Sequence, residues 1–227
     1  MSWTVVQTWS GTGTGTSVSA SGSVTTNGNT LVAALVTTVA TEITFPAGWI
    51  PFTGSTYDYL DVGAIPTYLG FLPGAAATTL VSFGLSASST SLLLIAELSN
   101  GGMTASLDGS EVVTYHAPTV YTTGTITTTA ASDAVLALFA SDSGTVGWGD
   151  PTNGFSVLAQ TSIGTRHGGL SLGLSGLLNV TPGSYSTSLT DIGSGDPTVY
   201  VQILMALSPS GTGGGLVPWP LFNNRGI

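Results

Sequence analysis

Residues 27–38 read Asn-Gly-Asn-Thr-Leu-Val-Ala-Ala-Leu-Val-Thr-Thr, a turn signal followed by an unbroken apolar run over residues 31–36. The run is short, rich in Val and Leu, and bounded by turn-forming and β-branched residues, which is typical of a strand covered on both faces. A helix is the alternative for so short an apolar run, but the surrounding Thr and Val residues favour a strand. This stretch predicts a β protein whose sheet is covered on both sides.

The same pattern returns in the second half of the chain. Residues 131–140 read Ala-Ser-Asp-Ala-Val-Leu-Ala-Leu-Phe-Ala, again a turn signal before an apolar run. Residues 46–49, Pro-Ala-Gly-Trp, correspond to residues 151–155, Pro-Thr-Asn-Gly-Phe, with an aromatic residue after the glycine each time. The apolar segment 92–99 corresponds to residues 199–208. The sequence therefore predicts two pseudo-repeated halves, at about residues 17–99 and 119–208.

The composition excludes several classes of function. The chain has 227 residues, of which 42% are hydrophobic and only 6% charged, with a net charge of −9. It contains no lysine, and Arg166 and Arg225 are its only arginines. Two arginines cannot neutralise a row of phosphates, so we expect no nucleic-acid partner and no anionic membrane partner. With no cysteine there is no disulfide framework, thiolate nucleophile or zinc–thiolate site.

The N-terminus carries neither a basic segment nor a long apolar segment, so we predict no signal peptide. No run approaches the ~18 apolar residues that a membrane-spanning helix needs. A chain so poor in charge and without an export signal is expected either in the cytoplasm or within an assembly that leaves the cell.

The spacing of strand and turn signals indicates the architecture. Strand-like segments recur about every 8 to 12 residues with turn residues between them, as in a β-sandwich or barrel. The halves could be two small sandwiches or interleaved halves of one jelly roll, and the absence of a charged or proline-rich linker favours one domain over residues 1–209. Residues 11–15, Gly-Thr-Gly-Thr-Gly, are predicted to form a flexible connector or a glycine-rich turn.

The last residues, 210–227, differ from the rest of the chain. A glycine-rich linker at 210–215 precedes a short apolar segment with two prolines. Large apolar side chains that follow a flexible linker are suited to insertion into a neighbouring molecule. We therefore predict an extended C-terminal arm whose partner-binding residues are Leu216, Val217, Trp219, Leu221, Phe222 and Arg225.

Four segments together resemble a group of tailed-bacteriophage virion proteins. They are Gly-Asn-Thr-Leu-Val-Ala-Ala-Leu at 28–35, Pro-Ala-Gly-Trp at 46–49, Leu-Leu-Ile-Ala-Glu-Leu-Ser at 93–99 and Ile-Leu-Met-Ala-Leu-Ser-Pro at 203–209. The resemblance spans roughly residues 17–209 and implies a concanavalin-like jelly-roll β-sandwich on the heads or tails of phages of high-GC hosts. It implies a structural, non-enzymatic protein of the virion, made in the host cytoplasm. It brings no catalytic residue and no cofactor.

Two motifs with catalytic associations have simpler explanations. Residues 169–173, Gly-Leu-Ser-Leu-Gly, match the G-x-S-x-G nucleophile elbow, which needs a strand-turn-helix context and a histidine after the serine. Both histidines, His116 and His167, precede Ser171, and the alternating segment predicts Ser171 on the solvent face of a strand. The 11 acidic residues are scattered without EF-hand spacing, so turn-forming Asp is expected rather than a calcium site. Glu97, inside an apolar strand, is expected to face solvent or a subunit boundary, or to accept hydrogen bonds from backbone donors.

The tryptophans suggest a second kind of site. Trp49 is predicted to lie in the core, because Phe155 occupies the corresponding place in the second half. Trp148, between Gly147 and Gly149, is the best candidate for an exposed ring that stacks on a sugar, with Asp150 beside it. A surface glycan is therefore a candidate ligand.

The scarcity of charge favours assembly. Sheet edges are usually protected by Lys or other charges, and this chain has almost none. Its edges must be covered by the fold or by partners, which are expected to be other virion proteins and further copies of the chain. The sequence thus predicts a capsid decoration or minor capsid protein, with a tail component or a carbohydrate-binding host-adhesion module of the same fold as alternatives.

Overall fold

The computed structural model describes residues 2–39, 42–52, 65–108, 112–114, 120–144, 147–164, 169–190 and 200–210. Within them the chain forms strands and turns and no helix. The strands are β1 (Thr4–Ser21), β2 (Thr30–Thr37), β3 (Ile43–Thr44), β4 (Ile50–Phe52), β5 (Thr67–Leu72), β6 (Leu80–Ser99), β7 (Thr104–Leu107), β8 (Val112–Thr114), β9 (Val120–Thr122), β10 (Ile126–Thr128), β11 (Asp133–Ser141), β12 (Ser156–Ile163), β13 (Leu170–Val180), β14 (Gly183–Tyr185), β15 (Ser188–Thr190) and β16 (Tyr200–Ser210).

Two antiparallel six-stranded sheets pack face to face. Sheet A has the order β1-β6-β2-β5-β4, with β3 beside β6, and sheet B has the order β12-β13-β11-β16-β7, with β8 beside β16. The first half of the chain builds sheet A, and the second half builds sheet B together with β7 and β8, so the halves form neither two small sandwiches nor interleaved strands of one sheet. The predicted all-β sandwich is confirmed, whereas the jelly-roll connectivity is not.

The two sheets share a strand order. The path β6-β2-β5-β4 in sheet A corresponds to β16-β11-β13-β12 in sheet B. The two aromatic turns that correspond in sequence also make the same bond, because Trp49 N donates to Pro46 O at 3.3 Å and Phe155 N donates to Thr152 O at 3.3 Å. Trp49 and Phe155 are both buried, as predicted for Trp49. The relationship of the two halves as repeats stays a prediction.

Three apolar layers explain the unbroken apolar runs. Alternate residues of β2 face sheet B (Val32, Ala34) or the opposite side of sheet A (Leu31, Ala33), and every residue of β2 is buried. Strand β11 is likewise buried throughout and contributes to the central layer and to a third cluster on the outer face of sheet B. The short strands β10, β14 and β15 help to cover that outer face. A strand covered on both faces needs no polar alternation, which is what the sequence at 31–36 predicted.

The outer face of sheet A is covered by its own longest strands. Strand β1 pairs with β6 along its whole length, with a register shift between Gly15 and Ser17. A Cβ placed on Gly11 would lie 1.8 Å from Ser19 O, so β1 doubles back on itself around Gly15. The returning part lays apolar side chains of β1 and β6, among them Val18, Val81 and Phe83, on the outer face of sheet A.

This arrangement corrects two predictions. Residues 11–15 are not a loop but the strand interior, where glycine permits close approach of the backbone. The alternating residues 78–85 and the apolar residues 91–99 each have the sequence pattern of a strand, but both segments belong to the single strand β6. Residues 57–61 also have a strand-like sequence and lie outside the described residues.

An asparagine fastens the N-terminal strand to sheet B. Asn179 sits at the register shift between β11 and β13, in a left-handed conformation with φ of 63°. Its side chain accepts a hydrogen bond from Trp3 N at 2.5 Å and donates one to Trp3 O at 3.0 Å. Trp3 is 1% exposed and packs between the sheets, so the bulge at Asn179 holds the first strand of sheet A against sheet B.

Replacing Asn179 should loosen this connection. Asn179→Gly keeps the left-handed backbone but removes both hydrogen bonds, so we expect the free energy of unfolding to fall by about 1–2 kcal/mol. Asn153→Gly is the matched control, because Asn153 has φ of 57° and its side chain makes one exposed hydrogen bond, to Ser186 O at 2.8 Å. Urea unfolding followed by tryptophan fluorescence measures both. Equal losses in the two variants would mean that the Trp3 contact contributes nothing.

Candidate functional site

The predicted partner-binding residues of the arm, Leu216, Val217, Trp219, Leu221, Phe222 and Arg225, lie outside the described residues. The structure describes the strand from which the arm departs. Strand β16 continues to Ser210, whose hydroxyl donates to Thr104 O of β7 at 2.9 Å. The folded body therefore extends one residue beyond the boundary at 209 that the sequence predicts.

Trp148 does not present an exposed ring, so this part of the predicted glycan site is wrong. The side chain is only 4% exposed, and its ring lies 6.0 Å from that of Phe139. A Cβ on Gly173 would lie 2.7 Å from Trp148 Cδ1, so the indole lies on the bare backbone of β13. The flanking glycines suggested exposure, but the glycine that decides its position is Gly173. Asp150 is exposed beside a ring that a sugar cannot stack on.

A shallow groove of about 260 Å³ lies next to this tryptophan. It is lined by Gly147, the edge of Trp148, and Gln160, Thr161 and Ser162 of β12. None of these side chains is ionisable, so the groove offers hydrogen bonds and no acid–base chemistry. Glycan binding stays an untested prediction, and its residues would be those of β12 rather than the face of Trp148.

Ser171 is a buried structural residue. It lies in β13, its side chain is 0% exposed, and its hydroxyl donates to Ser143 O at 2.5 Å. The predicted strand at this position is confirmed, but the predicted solvent-facing side chain is wrong, because the outer face of sheet B is covered. The G-x-S-x-G match lies inside an extended strand and lacks the strand-to-helix turn that exposes a nucleophile.

Glu97 is the centre of a buried hydrogen-bond network. It is 1% exposed, and its Oε1 accepts from Thr26 N at 2.7 Å and from Asn29 Nδ2 at 2.6 Å. Its Oε2 accepts from Gln7 Nε2 at 2.6 Å. Trp9 Nε1 donates to Gln7 Oε1 at 3.0 Å, which orients the Gln7 amide toward the carboxylate. Of the expected environments for Glu97, bonding to a backbone donor is the one the structure shows.

The network keeps Glu97 ionised. Burial acts to raise its pKa, but the hydrogen bonds from Gln7, Thr26 and Asn29 together outweigh burial and lower the pKa below its usual value of 4.5. The carboxylate joins β1, the 25–29 turn and β6 at one end of sheet A. Its role in this geometry is structural, because every donor that reaches it belongs to the fold.

A second acidic cluster lies at one end of sheet B. The carboxylate of Asp108, just after β7, accepts from Thr129 N at 2.6 Å, Thr129 Oγ1 at 2.6 Å and Ala130 N at 2.9 Å. Asp133, the first residue of β11, is 0% exposed, and neither of its carboxyl oxygens has a hydrogen-bond donor at bonding distance. No sequence motif marks this pair. The one sequence feature that could have indicated the pair is an acidic residue at the start of an apolar strand, here Asp133.

The two carboxyl groups have opposite protonation behaviour. Burial, and after it the neighbouring Asp108 carboxylate, raise the pKa of Asp133 to about 7, against a smaller opposing effect of the Ser208 hydroxyl. Burial also acts to raise the pKa of Asp108, but the hydrogen bonds from Thr129 and Ala130 outweigh it and lower that pKa to about 2. At pH 6, Asp108 is therefore ionised while Asp133 keeps its proton.

The edges of the sandwich differ in how they are protected. Strand β4 is three residues long and carries Pro51, and β7 and β8 are four and three residues long, which are common ways of discouraging edge pairing. Strands β1 and β12 are longer, with 18 and 8 residues, and contain no ionisable side chain or proline. Strand β1 has two register shifts and β12 has one, and these are their only such protection in the described part of the chain.

These two strands lie on the same side of the molecule. Strand β12 lies against β1, so the open edges of sheets A and B form a common surface, here called the β1–β12 side. It exposes Val5 (36%), Val6 (47%) and Val157 (37%). A surface without charge, on a chain with a net charge of −9, is the strongest candidate interaction surface of the described residues.

The described residues contain no group of three or more His, Asp or Glu side chains that could hold a metal ion. In the same part of the chain, no helix is long and apolar enough to cross a membrane. Comparisons with protein-family models, with curated proteins and with solved structures find no match to this chain. Function is therefore inferred from the sequence and from this geometry.

Proposed function

We propose that this chain is a non-enzymatic structural protein of a tailed-bacteriophage virion, a capsid decoration or minor capsid protein that stabilises the shell through subunit contacts. The observation that carries the proposal is the uncharged β1–β12 side, because two strand edges without charge or proline on one side are suited to contact with other protein chains. The apolar arm at 216–222 supports it as a second contact element.

The physical reason is the cost of leaving strand edges open. Unpaired backbone N–H and C=O groups attract further strands, and charges normally keep such strands away. Here the chain offers neither lysine nor acid on β1 or β12. In an assembled shell, a neighbouring subunit would cover these edges, so charged protection would be unnecessary and would oppose the contact.

Native mass by light scattering, together with co-sedimentation, tests the proposal. Full-length protein should form a defined oligomer or bind purified heads of the phage that encodes it, and a version ending at Ser210 should lose this binding. Ending at Ser210 rather than Pro209 keeps the hydrogen bond to Thr104 O, so the folded body is left complete. Binding to purified tails instead of heads would assign the protein to the tail.

A charge on the β1–β12 side separates the surface from the arm. Val157→Lys should weaken association at least about tenfold, because a desolvated unpaired charge is costly at an interface. Val39→Lys is the matched control, since Val39 is 45% exposed and lies outside both edge strands. Full-length protein that is monomeric and binds neither heads nor tails contradicts the structural role. Association that Val157→Lys leaves unchanged contradicts the part assigned to the β1–β12 side.

A further inference from the structure

The strongest remaining feature is the buried Asp133, which no proposed contact uses. A carboxylate with no hydrogen-bond donor cannot stay charged in the interior without a large free-energy cost. It must therefore be neutral or be balanced by a cation. Among the described residues no third His, Asp or Glu joins Asp133 and Asp108 to complete a metal site. We therefore infer that Asp133 is protonated and neutral.

The Asp108 carboxylate is placed to accept the hydrogen bond that a protonated Asp133 donates. Among the described residues, Asp108 is the one titratable group that changes the pKa of Asp133. Ser208 of β16 is the other polar side chain that changes this pKa. The backbone N–H groups of Thr129 and Ala130 fix the Asp108 carboxylate from the turn that precedes β11. Asp108 N in turn donates to Ala206 O of β16 at 3.0 Å. The pair thus connects the end of β7, the turn at 129–132 and the start of β11.

We propose that Asp133 and Asp108 form a proton-controlled clasp that keeps this end of sheet B closed while Asp133 carries a proton and loosens it once Asp133 is ionised. With the proton present, two carboxyl groups share one charge and one hydrogen bond. Without it, two negative charges face each other in a buried site, and water must enter to solvate Asp133. The clasp rests only on the described residues and does not depend on the proposed role in a virion.

The sign of the effect follows from linkage. The pKa of Asp133 is about 7 in the folded chain and near 3.8 when the group is free, so the folded state binds the extra proton between these values. The clasp therefore contributes fully below about pH 4 and is progressively lost as the pH rises to about 7. Across that window the unfolding constant should rise by up to roughly tenfold per pH unit.

Urea unfolding between pH 4.5 and 8 tests the clasp with Asp133→Asn, which has the same shape but no ionisable proton. The difference between wild type and variant cancels the histidines and termini that titrate in both. We expect wild type to weaken relative to the variant by roughly 10²-fold in the unfolding constant between pH 4.5 and 7.5. Asp150→Asn is the control, since Asp150 is exposed, and should follow wild type at every pH.

Hydrogen exchange locates the opening. At pH 8, the amides of Asp108, Thr129 and Ala130 should exchange about tenfold faster in wild type than in Asp133→Asn, while amides of β2 exchange equally. A ¹³C titration of the Asp133 carboxyl in wild type needs no variant and remains decisive if Asp133→Asn does not fold. A carboxyl that titrates below pH 5, or a wild-type-to-variant difference that does not change with pH, overturns the clasp.

Discussion

Replacing Gly11 by Ala should cost about 3 kcal/mol or more of unfolding free energy, among the largest effects expected of any single methyl group in this chain. The added Cβ would lie 1.8 Å from Ser19 O and 2.7 Å from its carbonyl carbon. These are backbone atoms, which no side-chain rotation can move away. The substitution therefore has to push apart the two parts of β1 that double back on each other, and with them the cover of the outer face of sheet A.

The same glycine series supplies its own controls. A Cβ on Gly13 would lie 2.7 Å from Ser17 O, whereas a Cβ on Gly15 would meet nothing within 4 Å. Urea unfolding should therefore rank the losses as Gly11→Ala first, Gly13→Ala second and Gly15→Ala last. Gly15→Ala should be neutral or slightly stabilising, because alanine restricts the unfolded chain. Equal and small effects at all three positions would show that residues 11–15 are the flexible connector predicted from sequence alone.

The strands that sequence analysis locates well are those whose identity is decided locally. Residues 31–36 and 134–140 are apolar without interruption, and their burial on both faces follows from having no polar side to expose. In each case composition and flanking turns suffice, since any cover of apolar side chains satisfies such a strand.

The sequence predictions that are wrong depend on partners far away along the chain. The exposure of Trp148 is decided by Gly173, and the position of Ser171 by a covered sheet face. Residues 11–15 lack side chains to mark them as a strand, although their backbone pairs with β6. The pattern of a single segment cannot show which distant residue lies opposite.

The acidic residues also show that the sequence can mark an unusual position but cannot name its distant partners. An acid within an apolar strand, such as Glu97, signals a special environment because a buried charge needs partners. Its donors come from Gln7, Thr26 and Asn29, which are distant in sequence and close only in the sandwich. The Asp108–Asp133 pair joins the residue after β7 to the first residue of β11, and the sequence around either residue does not identify the other. The uncharged edges, by contrast, were predictable from composition, but that both lie on one side was not.

Replacing Glu97 by Ala should cost about 3 kcal/mol or more, because the buried Asn29 amide, the half-buried Gln7 amide and the Thr26 backbone N–H lose a charged acceptor at once. Glu97→Gln keeps the shape but turns one acceptor into a donor that faces another donor, so its loss should be smaller. Glu42→Gln, at an exposed glutamate, is the matched control and should change stability by no more than about 0.5 kcal/mol. Urea unfolding at pH 7 measures all three.

Acid provides the independent test of the same carboxylate. Because the pKa of Glu97 is lowered in the folded chain, its contribution is fully present above its usual pKa of 4.5 and is lost as the pH falls through the lower folded value. Wild type should therefore lose stability below about pH 4.5 more steeply than Glu97→Ala, which has no such contribution to lose. Asp108, whose folded pKa of about 2 lies below its usual 3.8, should contribute to the acid sensitivity that remains in the variant. Parallel acid profiles for wild type and Glu97→Ala would mean that the Glu97 carboxylate is not held by Gln7, Thr26 and Asn29 as the structure shows.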